Sequence, residues 1–202
     1  MADFFYADRL FNGLEREEPA AGMLLVSAPG MDSRKFVRTV VLLLEHSVRS
    51  SLGVVLNRRS DVAVHNALPQ WLECVAEPQA LYIGGPVSPR SAVGLGVTRP
   101  GVAIEDHAVL TRLANRLVQV DLRAEPAEVA PLLTGMRLFG GYAQWEPGQL
   151  DDEIERGDWF VVPALPSDVI APAAADLWGD VMRRQAMPLP LYATFPADLE
   201  DN

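Results

Sequence analysis

A single cysteine, Cys74, occurs in 202 residues. One thiol cannot close an intrachain disulfide or build a zinc ribbon, so a reducing cytoplasm is the simplest address. Cys74 has no basic neighbour within two positions to activate it and reads as a buried, inert thiol. No apolar run reaches the roughly 18 residues of a membrane span. The N-terminus, MADFFYADRL, carries acids where a secretory signal has a basic segment. A cytoplasmic chain without membrane contact is expected. Positive charge is scarce as well: 17 Lys plus Arg face 27 acids, for a net charge of -10. Direct nucleic-acid binding is therefore not expected, because a grip on phosphates is driven by concentrated lysine and arginine. The densest basic groups are Arg58-Arg59, Arg183-Arg184, and Arg34, Lys35 and Arg38.

Reaction motifs are missing too. The chain has no HExxH, no GxSxG elbow, no Walker loop and no dinucleotide fingerprint. His46, His65 and His107 are too far apart to give a metal-ligand spacing. No metal and no cofactor is expected.

What is present is a globular composition, 49% hydrophobic and 22% charged, enough for one domain with a sizeable core. Residues 1–21 read as an N-terminal arm. Phe4, Ala7, Phe11 and Leu14 share a helical stripe that Pro19 ends. Residues 22–202 read as a single domain. Met23 to Ala28 and Leu52 to Leu56 are expected strands. The apolar run Val40 to Leu44 predicts a strand buried on both faces. QALYIGGPV is a further strand, ending at a Gly84-Gly85-Pro86 corner, and glycines 94 and 96 suggest a bend or bulge. Leu68 to Val75, PAEVAPLLTGM and ADLWGDVMRRQ predict helices, the last burying Leu177, Val181 and Trp178. Strands and helices interleave irregularly, as in an α+β domain.

Two places could carry chemistry. Glu45 and His46, at the end of the most apolar strand, are candidate catalytic residues for acid–base work. As neighbours on a strand they point to opposite faces, which argues against direct cooperation. At the Gly84-Gly85-Pro86 corner two readings stay open, a tight turn or a loop whose N–H groups cradle an anion.

The stretch FGGYAQWEPGQLDDEIERGDWFVVP gathers most of the remaining signal. Gly140-Gly141 are expected to close a strand, and Gln149 to Arg156 to form a two-turn helix with Leu150 and Ile154 inward and Gly157 as its cap. Asp151, Asp152 and Glu153 suit the first turn, where acids favour the helix dipole. Tyr142, Trp145 and Gln149 are left over, and with Gly84, Gly85 and Pro86 they form the expected ligand- or partner-binding set.

The ordered blocks GMLLVSAPGM, FVRTVVLLLEH, LGVVLNR, YIGGPV, GYAQWEPGQLDDEI and DW resemble the YqgE/AlgH family of bacterial proteins. LPQW, ALPSDV and ADLWGDVMRRQ are similar to its actinobacterial branch. The resemblance covers roughly residues 22 to 196. It implies an α+β fold with a mixed, bifurcated β-sheet folded into a pseudo-barrel with flanking helices. It implies no established reaction or cofactor, and some members are regarded as transcriptional regulators. The matching positions are Glu45, His46, Asn57, Gly84, Gly85, Pro86, Tyr142, Trp145, Gly148, Gln149 and Trp159. Gln144 departs from a common glycine, and Ser33-Arg34 from a common Asp-Pro pair. A non-enzymatic binding or regulatory protein, with a protein or small molecule as partner, is the leading expectation; an enzyme using Glu45 and His46 near the glycine corner is the alternative.

Overall fold

The apolar run in the second strand has to be covered on both sides, and two layers of packing achieve this in the computed structural model, which describes residues 17–29, 31 and 36–194. The first strand, β1 (Met23–Ser27), lies beside β2 (Val40–His46), which turns tightly into β3 (Ser51–Val55). On one face Leu24, Val26, Val40, Leu42 and Val54 join the largest cluster of buried side chains. On the other, Leu25, Val41, Leu43 and Val55 meet Trp145, Leu150 and Trp159. The alternation follows from the two-residue period of a strand.

Beyond β3 come β4 (Arg59–Ala63), β5 (Ala80–Ile83), β6 (Val87–Thr98), β7 (Leu110–Ala114), β8 (Leu117–Val120), β9 (Leu133–Trp145) and β10 (Trp159–Pro163). They curl into one sheet of order β10-β1-β2-β3-β9-β6-β8-β7. β9 is its spine, with β6 antiparallel along one edge. Its other edge is divided: Ala143 to Trp145 pair with β3, while Phe139 and Gly140 pair in parallel with β5. The sheet branches there. Strand order from β10 to β3 is antiparallel throughout, and β1 lies between the last strand and the second.

The helices are short: α1 (Val64–Ala67), α2 (Pro126–Val129), α3 (Gln149–Glu155), α4 (Pro166–Val169), α5 (Leu177–Arg183) and α6 (Leu189–Tyr192). In α5, Leu177, Trp178, Val181 and Met182 are buried against the sheet, and the Trp178 indole N–H donates to Ser27 O at 2.9 Å. Arg184 binds the buried Asp168 carboxylate with two hydrogen bonds, 2.6 and 2.7 Å, tying the end of α5 to α4.

Three sequence expectations are corrected. The predicted helix from Leu68 is one α-turn over 64–67 followed by a 3-10 stretch from Pro69 to Cys74. PAEVAPLLTGM is helical only to Val129, with a 3-10 turn over Ala130–Leu132; Pro131 lacks the N–H a continuing helix needs, and Leu133 already starts β9. Gly140 and Gly141 do not end a strand, since β9 runs through both to Trp145. Glycines 94 and 96 sit in regular ladder positions against β8 and β9, and the register shifts fall elsewhere in β6. The helical stripe Phe4, Ala7, Phe11 and Leu14, together with Ser33, Arg34 and Lys35, lies outside the described residues.

What the glycine pairs do is bring two backbones together. A Cβ on Gly85 would lie 2.1 Å from the Tyr142 carbonyl carbon. Gly141 has φ 71°, and a Cβ there would lie 2.6 Å from Gly85 O. Gly85→Ala is expected to cost about 3 kcal/mol, because the obstruction is backbone and cannot rotate away. A denaturant midpoint equal to the wild type would refute this.

Candidate functional site

The site is built where the C-terminal end of β9 leaves the sheet. Pro147 and Gly148 turn the chain, Gly148 taking a left-handed φ of 76°, and α3 follows at once. Leu150 is buried, and Ile154 packs beside it against the same cluster. Gly157, at φ 84°, ends the helix: its N–H donates to Ile154 O at 3.0 Å, and the Asp158 N–H reaches Glu153 O at 2.9 Å.

One acid of the helix turns inward. Glu153 Oε2 accepts the indole N–H of Trp145 at 2.9 Å and that of Trp159 at 2.8 Å. Its Oε1 accepts from the Gln149 amide at 2.8 Å. Gln149 Oε1 in turn accepts the Glu146 backbone N–H at 3.0 Å. The two indoles, 3% and 2% exposed, stand edge to face with centroids 6.1 Å apart, and Phe36 meets Trp159 edge-on at 5.5 Å. A carboxylate thus satisfies two buried N–H groups that would otherwise each be costly.

Over this clamp lies a cleft of about 440 Å³. Pro86, Trp145 and Gln149 line it together with Phe36, Gln144, Glu153, Arg156 and Asp158. Arg156 donates to Asp158 at 2.8 Å on the rim. The structure therefore brings three of the six expected binding residues into one cleft. Gly84 and Gly85 stand behind Pro86 as the backbone junction, with the Gly84 N–H given to Gly140 O and its carbonyl accepting from Val55 N, both at 2.8 Å. Tyr142, one position out of phase with Trp145 on β9, packs on the opposite face against the largest cluster.

Glu45 and His46 do not join this cleft. Glu45 is exposed beside a register shift in β2. His46 Nδ1 shares a 2.8 Å hydrogen bond with Ser51 Oγ, and its Nε2 lies 3.6 Å from Asp151 Oδ1 in the first turn of α3. These three residue types can constitute a nucleophile, base and acid, but Ser51 is 3% exposed and its oxygen is closed to a substrate. The Gly84 contact sits at the far end of β3 from this pair, about 13 Å of strand away. Among the described residues no group of three or more His, Cys, Asp or Glu is placed to hold a metal ion. Cys74 is buried and donates weakly to Pro126 O at 3.9 Å, and burial, helped by Glu73, pushes its thiol above the ordinary cysteine value.

Sequence reasoning missed Glu153 as the hub, along with Phe36, Arg156 and Asp158. The signal was available in the i,i+4 spacing of Gln149 and Glu153, which places both beside the apolar stripe of Leu150 and Ile154. As one of three consecutive acids, Glu153 reads as part of the exposed first turn.

A curled, branched antiparallel sheet with short helices on its faces, and a tryptophan clamp closing one end, defines a class of domain, and the AlgH-like family model matches residues 24–190. The chain belongs to this AlgH-like family. It is 63% identical over 202 residues to the UPF0301 protein CE2927 of Corynebacterium efficiens, covering the whole of both chains. It is 62% identical over 189 residues to the UPF0301 protein Cgl3084/cg3414 of Corynebacterium glutamicum, covering 94% of this chain and all of that one. The crystal structure of protein DIP2367 from Corynebacterium diphtheriae superposes with a TM-score of 0.90 at 63% identity, over 94% of this chain and 100% of that one. The solution structure of the AlgH protein from Pseudomonas aeruginosa gives 0.65 at 22% identity, over 91% and 98%, a likeness of fold. No helix among the described residues is long and apolar enough to cross a membrane.

Proposed function

We propose that this is a non-enzymatic binding protein that acts through the cleft over the tryptophan clamp, with a protein or small molecule as its partner. The observation that supports this reading is the state of the cleft's ionisable side chains. Glu153 is held by two indoles and an amide, and Arg156 is paired with Asp158, which leaves shape, aromatic surface and polar rim as what the cleft offers. A reaction run by Glu45 and His46 draws no support from this arrangement. Glu45 faces solvent, and His46 is turned toward Ser51 and Asp151. A part in transcriptional control, which the family resemblance implies, fits the same reading through a partner; the net charge of -10 opposes direct contact with DNA.

Gln144 lies exposed on the cleft wall, so Gln144→Arg alters the mouth without touching the clamp. Affinity capture from lysate with wild type and this variant, both shown to melt at the same temperature, is the test. At least one partner held by the wild type and lost by the variant is expected. Identical profiles would overturn the proposal.

A further inference from the structure

Resting on that reading, we infer that the cleft takes a cationic side chain, arginine or lysine, presented by an extended segment of a partner protein. Three features of the cleft converge on this chemistry. Its floor holds the edges of three aromatic rings, Phe36, Trp145 and Trp159. A ring face carries a negative quadrupole that attracts ammonium and guanidinium groups.

Glu153, behind those rings, has only neutral partners: two indole N–H groups and one amide. Its negative charge is spread by these hydrogen bonds and is not cancelled by a cation. Each indole that donates to a carboxylate is also polarised, gaining electron density over its face, which strengthens its attraction for a cation. On the rim, the one cation of the lining, Arg156, is already paired with Asp158. Beside the cleft α3 exposes Asp151, Asp152 and Glu155 to solvent. A neutral apolar segment would leave this field unanswered, and an anion would be repelled by it. An arginine or lysine answers it, laying its apolar stem along Pro86 and Ala143 while its head meets the rings and rim carboxylates.

The test uses the full chain and three blocked tetrapeptides, Ala-Arg-Ala-Arg, the same peptide with citrulline, a neutral isostere of arginine, and the same with glutamate. Tryptophan emission and calorimetry report binding, since Trp145 and Trp159 are in the cleft and Trp71 and Trp178 are buried elsewhere. The arginine peptide is expected to bind about tenfold more tightly than the citrulline peptide, to weaken as salt rises, and to lose about threefold in affinity with Asp158→Asn. Equal binding of arginine and citrulline, preference for glutamate, or no binding of any peptide at millimolar concentration would each overturn the inference. A partner captured by the wild type, lost by Gln144→Arg, and contacting the cleft through a segment without arginine or lysine would overturn this inference while leaving the binding function standing.

Discussion

Glu153→Ala is expected to lower the melting temperature by about 6 to 12 °C, corresponding to about 3 kcal/mol in a chain of this size. The reason is arithmetic on buried donors. Removing the carboxylate strands the indole N–H groups of Trp145 and Trp159, both almost fully buried, and frees the Gln149 amide. Each orphaned buried donor costs about 1 to 3 kcal/mol. Glu153→Gln keeps one acceptor oxygen for the indoles but sets its own amide against that of Gln149, so a smaller loss of about 1 kcal/mol is expected. Thermal melting with near-ultraviolet circular dichroism distinguishes the two, because the edge-to-face pair loosens in the alanine variant. Melting of Glu153→Ala within a degree or so of wild type would mean that water replaces the carboxylate at both indoles.

Arg137→Ala is the second large effect, at about 4 kcal/mol. Arg137 is 1% exposed on β9 and has no carboxylate among its hydrogen-bond partners. Its guanidinium donates to Ala171 O at 2.9 Å and Glu77 O at 3.2 Å, and lies 4.4 Å from the Tyr82 ring centroid. The Nε is unpartnered, and burial draws the group below the ordinary arginine value, with Tyr82 pulling the other way. Alanine removes two donors and leaves a void where the side chain packed. Methionine fills most of that space and relieves the cost of holding a cation away from water, so Arg137→Met is expected to lose only about 1 to 2 kcal/mol. Denaturant titrations of both variants decide the matter. Equal losses would show that the two carbonyl contacts, and not the packing, hold this part of β9.

Legibility in the sequence depended on how far apart the causes of each feature lie. The strand over 40–46 could be read from its own residues, because a continuous apolar run must be covered on both faces whatever covers it. The helix over 149–155 was equally local: acids in its first turn, a buried stripe and a glycine stop. Gly85 and Gly141 could be recognised as special, but their reason, the backbone of one strand pressed on another, exists only once β5, β6 and β9 converge. The same holds for Glu153, whose partners lie eight residues before and six after it and meet only after β9, α3 and β10 have closed. Tyr142 and Trp145 show the opposite error. Close in sequence, they appeared to share a surface, and the alternation of β9 sends them to different faces.

The place of β1, between β2 and β10, has a consequence for how the chain is made. Residues 23 to 27 leave the ribosome among the first, yet one whole edge of that strand has no partner until residues 159 to 163 have been synthesised. A fold closed by its first and last strands has high contact order and pays a large loop-closure entropy before its final ladder forms. During synthesis, the nascent chain therefore presents an unpaired apolar edge for the time it takes to translate more than a hundred residues, and safe passage through that interval is a task for chaperones.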